Sequence, residues 1–163
     1  MKFALVSPVL PPAKSGQAIV LFRLLKNIDP QQFILISPRN YGQINDNNQN
    51  GTLTLGSRYY CVPHFSHLLE VFFLKADRLG FGLLLRIYLM FRTMTFVSIL
   101  KRERCVCVVG CSADLFDPYC SYLACKKLQI PFIFYAFDDY TTQYLSKNDL
   151  YFSKKYGPEI LQS

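Results

Sequence analysis

The first stretch whose residue types suit ligand chemistry lies near the N-terminus. The apolar run Phe3–Val6 predicts a buried β-strand, and a proline-rich loop after it leads to Ser15, Gly16 and Gln17. Ser15 can cap a helix that begins there, and Asp29–Pro30 ends that helix. Exposed N–H groups and the helix dipole favour an anion at such an N-terminus, which predicts a phosphate-facing loop. The same pattern is typical of many α/β units that bind nothing there.

A second polar stretch follows the apolar run Pro131–Phe137 and consists of Asp138, Asp139 and Tyr140. Open α/β sheets bind ligands at the carboxyl ends of their strands, so the two carboxylates are candidates for binding. Helix or loop caps are an equally good interpretation on spacing alone. Because both polar stretches directly follow strands, we expect them to share one site. A Cβ at Gly16 is expected to crowd the helix N-terminus where a ligand approaches. Like charges repel, so one carboxylate should face a ligand hydroxyl or a basic side chain, and the other should cap or point to solvent.

Strands and helices alternate along the rest of the chain. Three further apolar runs predict strands at Phe33–Ser37, Arg58–Val62 and Cys105–Gly110. This alternation predicts an α/β fold with a Rossmann-like, open, mainly parallel sheet and helices on both faces. The 163 residues, 51% of them hydrophobic, suffice for a single domain over residues 1–163. The pattern ends where a further strand is expected, so we expect the domain to be incomplete.

The segment Leu83–Leu100 is apolar and long enough to span a bilayer. Arg86 and Arg92 fall inside it, and each would cost about 2.5–3.5 kcal/mol at a bilayer centre. We therefore expect a helix that is buried against the sheet. A helix lying in the membrane surface and a membrane-spanning anchor are the alternatives.

Charge and cysteine content narrow the function classes. The net charge of +7 indicates anionic partners, such as a nucleotide diphosphate or lipid headgroups. Nucleic acid is not expected, because the basic residues are scattered apart from one cluster at 101–104. The six cysteines form no C-x-x-C pair, so we expect buried, reduced thiols and no metal. Reduced thiols and the lack of a signal-peptide pattern favour a cytoplasmic location.

Two parts of the sequence resemble family-4 type glycosyltransferases of the GT-B fold. The opening FALVSPVLPPAKSGQAIVLFRLLKNIDPQQFILIS is similar to their first strand, loop, helix and second strand. The later stretch CVCVVGCSADLFDPYCSYLACKKLQIPFIFYAFDDY is similar to a strand–helix–strand of the same N-terminal domain. The resemblance implies the N-terminal, acceptor-side half of a GT-B fold, facing a donor-binding C-terminal domain. Because transfer needs both domains, we expect a truncated chain that is inactive alone.

The resemblance also implies where substrates bind. The loop before the first helix matches the family's loop near the donor diphosphate, and the segment after the fifth strand matches one near the acceptor. The substrate-binding candidates are Ser15, Gly16, Gln17, Asp138, Asp139 and Tyr140. After the fourth strand, where many relatives have a histidine, this chain has Gly110, Cys111 and Ser112, so no catalytic residue is assigned.

The resemblance further implies the partners of a complete enzyme. These are a nucleotide-sugar and a glycan or lipid-linked acceptor, with no cofactor. A separate chain carrying the C-terminal half and peripheral contact with the inner face of the membrane are further expectations. Two other function classes stay open: a small flavodoxin-like module that binds a phosphorylated ligand, and a membrane-anchored protein that spans with Leu83–Leu100.

Overall fold

A single parallel sheet forms the centre of the molecule in the computed structural model, which describes residues 1–41, 54–64, 67–112, 116–137 and 147–161. The strands lie in the spatial order β3-β2-β1-β4-β5, and every neighbouring pair is parallel. The strands are β1 (Phe3–Val6), β2 (Phe33–Ser37), β3 (Arg58–Cys61), β4 (Cys107–Cys111) and β5 (Phe132–Tyr135). The predicted Rossmann-like α/β fold is confirmed. Its strand order reverses between β1 and β4, and the chain diverges there to leave a crevice.

Helices cover both faces of this sheet. They are α1 (Gly16–Leu25), α2 (His67–Arg78), α3 (Leu83–Glu103), α4 (Phe116–Leu128) and α5 (Lys147–Leu161), with a short 3-10 helix at Pro30–Gln32. On one face, Leu21 of α1 packs in a cluster with Leu5 and Leu35 of the strands. On the other face, Phe96 of α3 belongs to a core shared with α2, α4 and α5. All five residues of β2 are buried, because both of its faces are covered.

Helix α3 forms a large part of the second core. Its buried face includes Leu85, Leu89, Phe96 and Leu100, which pack with side chains of the sheet and of α4. The prediction of a helix buried against the sheet is therefore confirmed for this face. Among the described residues α3 is the one helix long and apolar enough to cross a membrane, and half of its apolar window is buried.

The fourth strand begins two residues later than the sequence indicates. Arg104 takes a left-handed conformation with φ of 54° at the end of α3, and the N–H of Cys105 donates to Leu100 O at 3.0 Å. Cys105 thus belongs to the helix cap. At its other end β4 continues through Gly110 to Cys111, so both residues lie in the strand and not after it. Gly110 has a packing role, because a Cβ there would lie 2.6 Å from Cζ of Phe132.

The buried carboxylate of Glu103 binds the C-terminal end of α3 to the amino edge of the sheet. Glu103 accepts hydrogen bonds from Lys2, just before β1, and from Tyr60 and Arg58 of β3. The bond from Lys2, followed by that from Tyr60, lowers the pKa of Glu103 to about 2 against the opposing effect of burial. The contacts join α3 to two strands that are not adjacent in the sheet.

We expect Gly110→Ala to lower the free energy of unfolding by about 1–3 kcal/mol, because the added methyl group overpacks the contact with Phe132. Gly56→Ala is the matched control, since a Cβ there meets Pro30 Cγ at an ordinary 3.4 Å. Urea denaturation of both variants measures the difference. Equal stability of Gly110→Ala and the wild type would contradict the packing role.

We expect the ion cluster of Glu103 to make folding acid-sensitive. The folded pKa of about 2 lies below the ordinary value of 4.5, so the stabilisation is full above about pH 4.5 and is lost as the pH falls towards 2. Glu103→Gln should lower the free energy of unfolding at neutral pH by about 2–3 kcal/mol. It should also remove this part of the pH dependence, measured by denaturation from neutral to acid pH. Glu159→Gln, on the exposed side of α5, is the control, and an unchanged pH slope in Glu103→Gln would contradict the assignment.

Candidate functional site

The crevice at the carboxyl edge of the sheet brings three distant segments together. Ser7 directly follows β1 and Ser112 directly follows β4, and both are buried. Gln17 of α1 lies between them: its Nε2 donates to Ser7 Oγ at 3.0 Å and to the carbonyl of Ser112 at 3.3 Å. We call Ser7, Gly16, Gln17 and Ser112 the carboxyl-edge site. The predicted residue Gln17 thus joins the two strand ends on either side of the switch in strand order.

Ser112 also connects this site to the end of β5. Its N–H donates to Tyr135 O at 3.0 Å, and its Oγ accepts from the N–H of Phe137 at 2.8 Å. Phe137 is the last residue described before the predicted acidic pair. Asp138, Asp139 and Tyr140 themselves lie outside the described residues, so their part in the site stays a prediction.

The proline-rich loop before α1 folds over the ends of β2 and β3. The carbonyl of Pro8 accepts from Ser37 Oγ at 3.4 Å and from Tyr41 OH at 3.3 Å, and the carbonyl of Pro11 accepts from Tyr59 OH at 2.8 Å. Prolines have no N–H to donate, so their carbonyls make these bonds. Burial raises the pKa of Tyr59 to about 12, which keeps its hydroxyl protonated as the donor. The loop is therefore a firm support for the start of α1.

The N-terminus of α1 opens onto solvent. Ser15 is the N-cap, as predicted, and its Oγ accepts from the N–H of Ala18 at 3.2 Å. Helix geometry leaves the N–H groups of Gly16 and Gln17 without an intrahelical carbonyl. Gly16 is exposed, and among the described residues no atom beyond its chain neighbours and its own helix would lie within 4 Å of a Cβ there. The expectation that a Cβ at Gly16 hinders the approach of a ligand stays a prediction.

Two exposed basic side chains lie in described loops at the carboxyl edge of the sheet. Lys14 directly precedes the N-cap, and Arg39 lies two residues beyond the end of β2; both are exposed. The N-terminus of a helix carries a partial positive charge, so a basic side chain next to it adds to the attraction for an anion. The arrangement suits one phosphate group held by backbone N–H groups. The described residues of the carboxyl-edge site supply no activated base or nucleophile.

The cysteines add no reactive thiol to this site. All six are free, and four are buried, Cys111 among them in the core beside Ser7. The expectation of burial is wrong for Cys61, which is exposed at the end of the edge strand β3. Burial raises the pKa of Cys111 to about 12, and the hydrogen bond with Ser7 opposes it only in part. Burial likewise raises the pKa of Cys125 to about 12. Thiols in this state are protonated at neutral pH and pack as small apolar groups. Within the described ranges, no three His, Cys, Asp or Glu side chains are grouped so as to hold a metal ion.

A buried ion pair lies at the same edge, on the other face of the sheet. Arg92 of α3 binds Asp117 of α4 through Nη2 and through Nε, the latter at 2.7 Å. Its Nη1 donates to Pro63 O at 3.0 Å and its Nη2 to Val62 O at 3.2 Å. Every nitrogen of the guanidinium therefore has a protein partner, and Arg92 fastens the fold rather than offering a cation to a ligand. The sequence analysis treated Arg92 only as a cost to a membrane span and gave no sign of its pairing with Asp117.

Glu70 and His64 extend this polar group towards the surface. His64 Nδ1 lies 2.8 Å from Glu70 Oε1, and Tyr88 OH donates to the same oxygen at 2.8 Å. Burial raises the pKa of Glu70, but the hydrogen bonds from His64 and Tyr88 outweigh it and lower the pKa overall. Glu70 is therefore ionised at neutral pH. No signal in the sequence joined these residues, because they come from a loop and two helices.

We expect Arg92→Leu to lower the free energy of unfolding by about 3–5 kcal/mol, because it leaves the Asp117 carboxylate buried without its cation. Arg86→Leu, on the exposed side of the same helix, is the matched control and should change stability by less than about 0.5 kcal/mol. Urea denaturation measures both. A similar loss in the two variants would contradict the fastening role of Arg92.

Comparison with known proteins found no match for this chain. No protein-family model matches it, no curated protein sequence is similar to it, and no solved structure shares its fold closely enough to match. The comparisons therefore say nothing for or against the glycosyltransferase resemblance. The confirmed statement is the α/β, Rossmann-like fold with an all-parallel sheet of five strands.

Proposed function

We propose that this chain is the acceptor-side domain of a GT-B glycosyltransferase of family-4 type, which binds phosphorylated substrate at the carboxyl-edge site. The observation that supports this most is that Gln17, in the first turn of α1, bonds to the ends of β1 and β4 at the reversal of strand order, and that Ser112 bonds onward to Phe137 after β5. Open α/β sheets bind their ligands in this crevice. The sequence resemblance covers these same segments.

In this proposal the site holds and orients substrate. The N–H groups of Gly16 and Gln17 donate to phosphate oxygens, and the dipole of α1 and the charge of Lys14 favour the anion. Gln17 keeps its side-chain amide on Ser7 and Ser112 and so holds the two strand ends at a fixed separation. Asp138, Asp139 and Tyr140 are the proposed contacts with acceptor hydroxyls.

Sugar transfer requires groups that the carboxyl-edge site does not supply. The leaving diphosphate must be neutralised, and the acceptor must lie in line with the sugar carbon. We propose that a donor-binding domain facing the carboxyl edge supplies these groups, either within the same protein or from a partner chain. The open N-terminus of α1 also suits a flavodoxin-like module that binds a phosphorylated ligand and needs no second domain. The two functions differ in whether a facing domain is required for turnover.

We expect the purified chain to bind uridine diphosphate, and Gly16→Glu to weaken this binding at least about tenfold, measured by isothermal titration calorimetry. The added carboxylate occupies the anion position, while a negative charge at a helix N-terminus does not destabilise the helix. Gly56→Glu, an exposed position before β3 at the opposite edge, is the matched control. Thermal melts of both variants report on folding.

Two results would contradict the proposed function. Equal binding by Gly16→Glu and the wild type would exclude the α1 N-terminus as the anion site. Steady turnover of a nucleotide-sugar by this chain alone would exclude the need for a facing domain. Binding without any turnover, on addition of a donor-binding domain as well, would favour the flavodoxin-like alternative.

A further inference from the structure

An apolar surface lies exposed on α2, on α3 and on the turn between them. The most exposed members are Leu68, Leu79, Phe81, Leu83, Met90 and Phe91, with exposed fractions from 56% to 80%. Residues of both helices line one apolar cavity of about 540 Å³, so the surface is continuous from α2 to α3. We call the exposed hydrophobic side chains of residues 68–94 the α2–α3 apolar face. A patch of this kind on a folded domain marks an interaction surface.

The exposed residues of α3 form one stripe along its N-terminal half. Leu83, Ile87, Met90 and Met94 recur at intervals of three and four residues, which places them on one side of the helix. The buried side carries Leu85, Leu89 and Phe96 instead. After Met94 the exposed positions of α3 become polar or basic up to its end. The apolar stripe therefore stops partway along the helix.

The exposed charges beside the α2–α3 apolar face are positive, because the acidic side chains of α2 and α3 are paired within the protein. All three of their acidic side chains turn to partners within the protein: Glu70 to His64, Asp77 to Lys155 at 2.7 Å, and Glu103 to Lys2. Lys75 and Arg86 are exposed, and each lines a cavity bordered by the apolar face. An apolar centre with a cationic rim is the combination that an anionic bilayer surface attracts.

Contacts of Glu103 and of Arg92 hold α3 at the two edges of the sheet and so set the position of the α2–α3 apolar face. Glu103 binds Lys2 and Arg58 at the amino edge of the sheet, and Arg92 binds the carbonyls after β3 at the carboxyl edge. Residues 83–91, about 13 Å of helix at 1.5 Å per residue, lie on the N-terminal side of Arg92. Their inner side chains, Leu85 and Leu89, are buried in the core, whereas Leu83, Met90 and Phe91 are exposed. The exposed side of this part of α3 can enter a membrane interface while the sheet stays in water. A transmembrane orientation would break the buried contact of Arg92 with Asp117.

We infer that the α2–α3 apolar face is a membrane-docking surface for a bilayer with anionic headgroups, in which α3 lies in the interface and does not span. Side chains of the face enter the headgroup boundary, and Lys75 and Arg86 contact the anionic headgroups. The inference is independent of the proposed glycosyltransferase function, since it uses none of the residues of the carboxyl-edge site.

The test is cosedimentation of the full chain with vesicles of phosphatidylcholine, with and without phosphatidylglycerol. We expect binding to the anionic vesicles and release by carbonate. The variant Leu79→Ser, Phe81→Ser, Leu83→Ser should lose it, because each of these side chains is at least 69% exposed and serves the surface alone. The matched control is Ile19→Ser, Val20→Ser, Leu24→Ser, three exposed apolar residues of α1 on the other face of the sheet.

A second pair of variants tests the charge. Lys75→Gln with Arg86→Gln should weaken binding to anionic vesicles by about thirtyfold, since each of the two basic residues contributes about 1 kcal/mol near such a surface and about 1.4 kcal/mol corresponds to tenfold in affinity. Arg23→Gln with Lys26→Gln on α1 is the matched control. Circular dichroism and thermal melts establish that all variants are folded.

Three results would overturn the inference. The first is absence of the wild type from anionic vesicle pellets, including the case in which sedimentation velocity shows that two copies bury the face against each other. The second is equal vesicle binding by the α2–α3 variant and its α1 control. The third is retention in the membrane after carbonate, which would mean that α3 spans. Failure of uridine diphosphate binding would leave the vesicle result unchanged.

Discussion

The ion pair between Arg92 and Asp117 fixes the position of α3, and most of the larger core depends on that helix. A charged side chain in the middle of an apolar helix costs several kcal/mol to bury unless it is paired and hydrogen-bonded. Asp117 and the carbonyls of Val62 and Pro63 supply those partners, and all of them lie at the carboxyl edge of the sheet. Arg92 therefore sets both the depth and the rotation of α3. With Arg92 turned inward, Phe96 also points into the core.

A second set of contacts, at Glu103, holds the C-terminal end of α3 at the opposite edge of the sheet. From Arg92 to Glu103 the helix rises about 16 Å, which is close to the length of a strand of five residues at about 3.3 Å each. The N-terminal part of the helix, residues 83–91, also has a buried side, on which Leu85 and Leu89 join the core. The outer side chains of this part stay exposed, although they are as hydrophobic as those in the core.

The carboxyl edge has a polar crevice, and the N-terminal part of α3 has an exposed apolar side. The crevice exists because parallel strands end together and because their order reverses between β1 and β4. Among the described residues of the carboxyl-edge site, Ser7, Gln17 and Ser112 bond to one another, and the N-terminus of α1 is left to meet a ligand. Should both proposals hold, a substrate attached to the membrane would reach the crevice from the side on which the domain docks.

The sequence by itself determined the fold class, the five strands and the cap of the first helix. Strands covered on both faces are unbroken apolar runs, and Ser15 caps through a contact three residues away, so local pattern was sufficient. It misplaced β4, because the cap at Arg104 takes up Cys105 in a way that hydropathy does not record. The tertiary structure alone decided that Gln17 meets Ser112, that Arg92 meets Asp117, and which side of α3 is exposed. These contacts join residues that are 25 or more positions apart, and they follow from the strand order and from the burial of one charge, neither of which a local pattern contains.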